Sequence, residues 1–253
     1  MTDLATTQQQ RQFKILLVGD NCKDIYQYGT IDRLSPEAPV PVFVPTRKEE
    51  RDGMAGNVYN NLAALGCEVN YLFGETSTKT RLIDERSKQQ IVRIDNDIES
   101  TPITFDTDIP DVYDAVVVSD YNKGTVSYEL IEELIALSIP IFIDTKKTDL
   151  ERFQGAWVKI NELEYSKIKT ECTGLIVTKG SRGAKLVHHD IDIPAPSVEV
   201  VDVTGAGDTF LAALVVNYLL QKDIKEAVVC AIHAASITVQ HLGVYAPSWE
   251  ELE

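Results

Sequence analysis

A series of short apolar runs, each closed by a polar residue or a glycine, constrains this chain more than any other feature. Residues 13–18, 115–118 and 139–143 are continuous stretches rich in Val, Ile and Leu, and 69–73, 157–160, 174–177 and 185–187 are shorter versions. Between them lie segments with helical spacing of apolar residues, at 57–65 (closed by Gly66), 128–137 and 224–239. Continuous apolar runs of this length suit strands buried on both faces, and their alternation with helices predicts an α/β fold with a mostly parallel sheet flanked by helices on both faces. In such sheets ligands collect beyond the C-terminal ends of the strands. Asp20, Asp120, Asp144 and Asn161 all fall at such ends. Residues 40–44 alternate with prolines, as an edge strand tolerates. Residues 86–94 are extended and mostly polar, better suited to an exposed sheet than to a core.

The chain has 253 residues, enough for one sizeable core, and we expect a single domain over 13–253 after a polar, Gln-rich, disordered start at 1–12. Its net charge of −15, with no offsetting Lys/Arg cluster, argues against nucleic acid and against anionic membranes as partners. No apolar run approaches the length that spans a bilayer. The cysteines Cys22, Cys67, Cys172 and Cys230 are widely spaced and form no Cys-x-x-Cys pair, which fits reduced thiols in the cytoplasm. His188-His189-Asp190 lacks further ligands and reads as a turn.

Chemistry concentrates in residues 201–210, Val-Asp-Val-Thr-Gly-Ala-Gly-Asp-Thr-Phe, which lead into the apolar run 211–220. A tight turn through Thr204, Gly205, Ala206 and Gly207 that opens a helix presents unpaired N–H groups and the positive end of a helix dipole to an anion. Asp208 sits at the mouth of that site. A carboxylate repels a resting phosphate, but it makes sense as the acceptor of a proton from a hydroxyl that attacks the phosphate. Taken alone, Gly-x-Gly-Asp is equally an ordinary turn with Asp as a cap. Phe210 stands where a dinucleotide fingerprint needs its third glycine, and no P-loop occurs.

The same residues, 201–210, resemble the C-terminal signature of the ribokinase-like (PfkB) carbohydrate kinases. A second match begins at Gly19-Asp20, Asp24, Tyr26 and Tyr28-Gly29 and runs through Arg33-Leu34-Ser35-Pro36-Glu37-Ala38-Pro39-Val40-Pro41-Val42 to Gly53-Met54-Ala55-Gly56-Asn57. The Ser-Pro-Glu-Ala-Pro-Val-Pro-Val string is narrower than the superfamily and is similar to the kinase domain of the D-glycero-β-D-manno-heptose 7-phosphate kinases. Thr80-Arg81, Gln89-Gln90, Arg93-Ile94-Asp95, Ser119-Asp120-Tyr121-Asn122-Lys123-Gly124 and Asp144-Thr145-Lys146 continue the match, which covers nearly the whole chain from Lys14. One departure is large. Relatives carry a further helix and strand between Gly74 and Thr80, where this chain has only residues 75–79.

The resemblance implies a ribokinase-like domain with a small β lid near 38–48 and 86–104, and ATP-dependent phosphorylation of a sugar with Mg²⁺, a monovalent cation being a further option. It makes Asp208 the catalytic base and Gly205, Ala206 and Gly207 the anion hole. Asp20, Asp24, Gly53 and Asn57 become the sugar-binding residues, with Met54 and Gly56 replacing family Gly and Ala. Lys123, Arg93 and more weakly Arg51 become candidates for a phosphate carried by the sugar. Asn161 and Glu164 match the Asn-x-x-Glu element, Glu164 reaching Mg²⁺ through water; their spacing equally suits a helix capping box. Thr178, Gly180 and Gly183 match the nucleotide-side loop, which is also a plausible plain hairpin, and His233 falls near the expected adenine pocket. The favoured reaction is phosphorylation of the anomeric hydroxyl of a heptose 7-phosphate by a homodimer joined through the lid. The rivals are a kinase for another sugar and a non-catalytic sugar- or nucleotide-binding relative.

Overall fold

A computed structural model describes residues 12–104 and 112–252. The expected disordered start therefore lies, apart from Gln12, outside the described residues. The described chain is built on a mixed sheet in the order β10-β9-β8-β7-β6-β5-β1-β3-β4, with β2 paired to β1. The strands are β1 (Lys14–Leu34), β2 (Pro41–Met54), β3 (Glu68–Asp84), β4 (Gln90–Asn96), β5 (Ala115–Asp120), β6 (Ile141–Thr145), β7 (Trp157–Asn161), β8 (Leu175–Thr178), β9 (Ala184–Leu186) and β10 (Ile191–Ile193). From β3 across to β8 every neighbouring pair is parallel. The helices are α1 (Ala55–Ala64), α2 (Tyr128–Ile135), α3 (Glu162–Tyr165), α4 (Ala206–Gln221), α5 (Ile224–Thr238) and α6 (Trp249–Leu252). This is the expected α/β class.

The period-2 alternation of β1 sorts the core into two layers. Ile15 and Leu17 pack with α1, α4 and α5, whereas Leu16 and Val18 pack with α2 on the opposite face. Helix α4 is largely apolar all round because it is covered by α1, α5 and the sheet; eleven of its residues, from Asp208 to Leu219, are buried.

The largest difference from the sequence reading lies in β1 and β3. Both were expected to stop near residues 18 and 73. Instead both continue out of the core, past a register shift between Gly19 and Asn21, and remain parallel from Asn21–Thr76 to Gly29–Asp84. With β2 and β4 on their outer sides they make a four-stranded flap. Polar residues disguise these extensions in the sequence, yet a strand with two partly solvated faces needs no apolar alternation. Strand β2 extends well past 44, to Met54, and β4 occupies 90–96 of the extended stretch.

The short connection noted at 75–79 is part of β3, so the chain passes from core to flap without a break. The core half of β3 is consequently an edge: β4 pairs only with Thr78–Ile83. An aromatic stack shields that edge, with Tyr71 at 6.0 Å from Tyr59 of α1 and at 4.7 Å from Phe73. Tyr71 is half-buried and its hydroxyl donates to Asn21 at 3.2 Å, while Phe73 remains 45% exposed. Replacing Tyr71 with Ala should therefore cost about 2 kcal/mol in urea denaturation, and Phe73→Ala less than about 1 kcal/mol.

Candidate active site

The C-terminal ends of β5, β6 and β7 and the N-terminus of α4 meet around one polar cavity. It measures about 250 Å³ and is lined by Asp120, Tyr121, Asp144, Lys146, Lys159, Asn161, Glu164 and Gly207. A second, mostly apolar cavity of about 510 Å³ lies on the other side of the α4 N-terminus. Thr178, Gly180 and Gly183 line it from the β8–β9 hairpin, and Val200, Phe210, Ile232 and Val239 line it from the body. Gly207 is common to both cavities, so the turn at 204–207 separates a charged chamber from an apolar one.

Local sequence explains that turn. Gly205 precedes α4 with φ 82°, a conformation that favours glycine, and a Cβ there would lie 2.9 Å from Asn57 Nδ2. A Cβ on Gly207 would lie 3.0 Å from Lys159 Nζ. Asp202 shapes the approach by accepting Thr204 N–H at 3.0 Å and Gly243 N–H at 2.9 Å. The anion hole read from the sequence is narrower in the structure. The Ala206 amide turns back to Val203 O at 3.3 Å, whereas the amides of Gly205 and Gly207 have no acceptor among the described residues.

Asp208 lies in the first turn of α4, 7% exposed. Asn57 donates to its Oδ2 at 2.7 Å and the Tyr121 hydroxyl donates to its Oδ1 at 3.2 Å. Burial pushes its carboxyl up to about 6, reinforced by Asp144, while Asn57, Lys159 and Tyr121 pull the other way. A carboxylate poised near neutrality is suited to general-base work.

Lys159 was not singled out by the sequence. Its buried ammonium pairs with Asp144 at 2.7 Å across neighbouring strands. Burial alone would lower its proton affinity, but Asp144, with Asp208 and Glu164, raises it above the ordinary lysine value. Lys146 lies 4.5 Å from the Tyr121 ring centroid. The signal that could have found both is a lysine next to a strand-end Asp or Asn in a strongly acidic chain.

The other sequence-derived residues divide. Asp24 faces Gly53, whose added Cβ would meet its Oδ2, and forms an ion pair with Arg81. Tyr26 lies between two guanidinium groups, Arg51 at 5.1 Å and Arg81 at 5.2 Å. Arg51, which had been ranked low, also approaches Gly243 of the body. Asn57 is buried and holds Asp208 directly. Met54 occupies the family's glycine position with φ 53°, a strained conformation for a bulky residue. Asn161 and Glu164 form a complete capping box on α3, Glu164 Oε2 accepting Asn161 N–H at 2.8 Å and Asn161 Oδ1 accepting Glu164 N–H at 2.9 Å. Glu164 Oε1 makes no hydrogen bond to the described residues, so its place in the cavity wall suits a water-bridged Mg²⁺. No group of three or more His, Cys, Asp or Glu able to hold a metal occurs among the described residues.

Four of the expected residues have other partners or surroundings in the fold. Asp20 is 1% exposed and accepts the backbone N–H groups of Tyr121 at 2.8 Å, Lys123 at 3.1 Å and Thr125 at 3.3 Å. It fixes the 121–125 loop. The Lys123 ammonium is spent on Asp97 at 2.6 Å. Arg93 sits on the solvent-exposed β4 and pairs with Asp95 at 2.8 Å. His233 lies on the exposed face of α5, and the residues of that helix that line the apolar cavity are Ile232, Ala235 and Ser236.

Strand-end carboxylates, a glycine turn and a buried Asp at a helix N-terminus thus lie beside an apolar cavity in an α/β frame of the ribokinase fold. The model of the pfkB family of carbohydrate kinases matches residues 151–251 of the chain. The chain is similar to the bifunctional protein HldE of Nitratiruptor sp., with 36% identity over 298 aligned positions covering 95% of this chain and 64% of that protein. The chain thus spans less than two thirds of the length of the curated relatives it matches. The alignment is several tens of positions longer than the residues this chain contributes, in keeping with a lost internal unit. Among solved structures it resembles the Arabidopsis thaliana ribokinase complexed with ribose and ATP (TM-score 0.70, 17% identity, covering 95% of this chain and 97% of that one). The Thermotoga maritima ribokinase is similar at a TM-score of 0.69 and 19% identity, covering 95% and 98%.

The raised proton affinity of Asp208 carries a stability cost whose sign can be worked out. A carboxyl held at about 6 in the fold and near 4 when unfolded disfavours folding once it ionises. Its stabilising protonated form is fully present below about pH 4 and is lost as pH rises through 6. Asp208→Asn should therefore raise stability by about 2 kcal/mol at pH 7.5, and the gain should vanish at pH 4 when thermal unfolding is followed across that range.

Proposed function

We propose that this chain transfers the terminal phosphoryl group of ATP to the anomeric hydroxyl of a heptose 7-phosphate, acting through one ribokinase-like domain over residues 13–253. The observation that carries the reading is the buried Asp208 at the α4 N-terminus, held by Asn57 and Tyr121 between the polar and the apolar cavities. The similarity to HldE across 95% of the chain supports heptose as the sugar.

In this reading Asp208 accepts the proton of the sugar hydroxyl, and the free amides of Gly205 and Gly207 hold charge that develops on the phosphoryl oxygens. Asn57 orients the base, and Asp24 with the Gly53 backbone receives sugar hydroxyls. Tyr26 on β1, Arg51 on β2 and Arg81 on β3 cluster in the flap, and these two guanidinium groups, although paired with Glu49 and Asp24, are the candidates to meet a second phosphate. The apolar cavity takes the adenine, with Gly180 and Gly183 allowing close approach of the β8–β9 turn. Glu164 would hold Mg²⁺ through water, and the ion would supply neutralisation of phosphate charge. A homodimer joined through the flap belongs to the same proposal: β4 has an open edge and carries Ile91, Val92 and Ile94, each 40% exposed or more. Sedimentation at high concentration should show the dimer, and monomer alone would remove it.

One observation favours another sugar. Met54, buried at the head of α1 in a strained conformation, puts bulk where the relatives have glycine. ATP turnover should be measured with heptose 7-phosphate, fructose 6-phosphate, ribose and fructose, for wild type and Asp208→Asn. We expect turnover on heptose 7-phosphate that falls by about 10³-fold or more in the variant, with sugar binding retained. Turnover on a different sugar keeps the mechanism and replaces the substrate. Absence of turnover in folded protein that binds nucleotide overturns the kinase reading in favour of a binding protein.

A further inference from the structure

Asp208 has two hydrogen-bond donors, and only one of them, Asn57, belongs to the segment expected beneath the sugar. The other is Tyr121, which follows β5 in the loop fixed by Asp20. Its backbone N–H is held by Asp20 at 2.8 Å, its hydroxyl reaches Asp208 Oδ1 at 3.2 Å, and its ring lies 4.5 Å from the Lys146 ammonium. Lys146 and Tyr121 both line the polar cavity, and Lys146 has no carboxylate partner within ion-pair distance among the described residues. One side chain thus touches the base with one end and a cavity cation with its face. An ammonium over an aromatic face is attracted by the ring quadrupole, and a phenol beneath a cation is a stronger hydrogen-bond donor.

We propose that Tyr121 is a positioning residue for phosphoryl transfer: its hydroxyl holds Asp208 in the reactive orientation as a deprotonated base, and its ring seats Lys146 in the wall of the phosphate cavity. The proposal rests on the kinase reading given above. The groups that face Asp208 come from each packed element: Asn57 from α1, Tyr121 from the loop after β5, Asp144 from β6 and Lys159 from β7. Asp144 is paired with Lys159, so these two largely offset each other at the base. Asn57 and Tyr121 remain as the neutral donors that favour its ionised form. Asn57 engages Oδ2, which leaves the setting of Oδ1 to Tyr121.

Tyr121→Phe deletes the hydroxyl and keeps the ring; Tyr121→Leu deletes both. Two measurements on the purified chain test the proposal, with melting curves to confirm folding. The first is the titration of Asp208 itself, followed by carbon-13 NMR of protein labelled at the aspartate carboxyls, the resonance being assigned by its absence in Asp208→Asn. In Tyr121→Phe the Asp208 midpoint should rise, because a lost donor to the carboxylate strengthens its hold on a proton. The second is the kinetic profile. For Tyr121→Phe we expect kcat to fall about 10- to 100-fold, KM values to stay within about threefold, and the acid limb of kcat to move to higher pH in step with the NMR midpoint. Tyr121→Leu should add a loss of ATP affinity that Tyr121→Phe does not show. An unmoved or lowered Asp208 midpoint in Tyr121→Phe overturns the proposal. So does a moved midpoint with kcat unchanged within threefold, since the contact would then exist without positioning the base. If wild type transfers phosphoryl to no sugar, the kinase reading and the catalytic part of this proposal fail together, while the NMR titration still decides whether Tyr121 sets the base.

Discussion

A carboxylate buried at the start of a helix, with neutral donors on both oxygens and no ion pair among the described residues, is the constraint on which the rest of the site depends. Burying Asp208 in the first turn of α4 sets its ionised form against desolvation, and the two hydrogen bonds it receives recover only part of that cost. The geometry persists because the surrounding chain leaves no alternative. Gly205 must take a left-handed conformation to start α4, and its missing Cβ is the space in which the Asn57 amide lies. Asn57 is itself fixed by the helix that follows Met54, where Asn61 donates to the Asn57 carbonyl at 2.8 Å. The strain of holding the base is therefore spread over α1, the 204–207 turn and the loop after β5.

The long strands β1 and β3 solve a related problem of placement. A flap over a sheet needs a rigid connection if it is to bring side chains to a fixed point above the base. Here two parallel strands run from the core into the flap, so Asp24 and Tyr26 are set by the strand that carries Ile15 and Leu17 in the core, and Arg81 by the strand that carries Val69 and Tyr71. The short chain between Gly74 and Thr80 makes this continuity direct for β3. Its consequence is an uncovered core edge, answered locally by the Tyr59–Tyr71–Phe73 stack and the Tyr71–Asn21 hydrogen bond.

Much of this was legible in the sequence, and the failures have physical causes. The core strands, the helices and the glycine turn follow from apolar periodicity and from the Gly-Ala-Gly-Asp spacing. The strand-end residues Asp120, Asp144 and Asn161 do converge on one cavity, because parallel strands present their C-termini to the same side. The flap halves of β1 and β3 were hidden because a sheet solvated on both faces leaves no hydrophobic pattern. The type and position of Asp20 suit a polyol, whereas only the folded loop shows the three backbone N–H groups that it accepts. The partners of Lys123 and Arg93 were hidden for a similar reason: a sequence gives the sign of a charge and not its partner. Lys159 passed unnoticed because it sits in an apolar run, where a lysine looks like an interruption rather than a cavity wall.

The charge inventory of the polar cavity shows how an acidic protein accommodates an anionic ligand. Asp120 is neutralised by buried Lys147 at 3.2 Å and by the Thr145 hydroxyl, and so contributes little field to the chamber. Asp144 is likewise matched by Lys159, and Glu164 gives one oxygen to the α3 cap. What remains open towards the chamber, among the described residues, is Lys146 and the free amide of Gly207. The net charge of −15 is thus kept out of the site by pairing Asp144 with Lys159 of the next strand and Asp120 with Lys147 just beyond β6. One unpaired lysine cannot balance a polyphosphate, and that shortfall is the electrostatic reason a divalent cation fits this cavity alongside the nucleotide. The same pairing leaves Asp208 as the acidic group at the α4 N-terminus without a salt-bridge partner, which is the condition a general base requires.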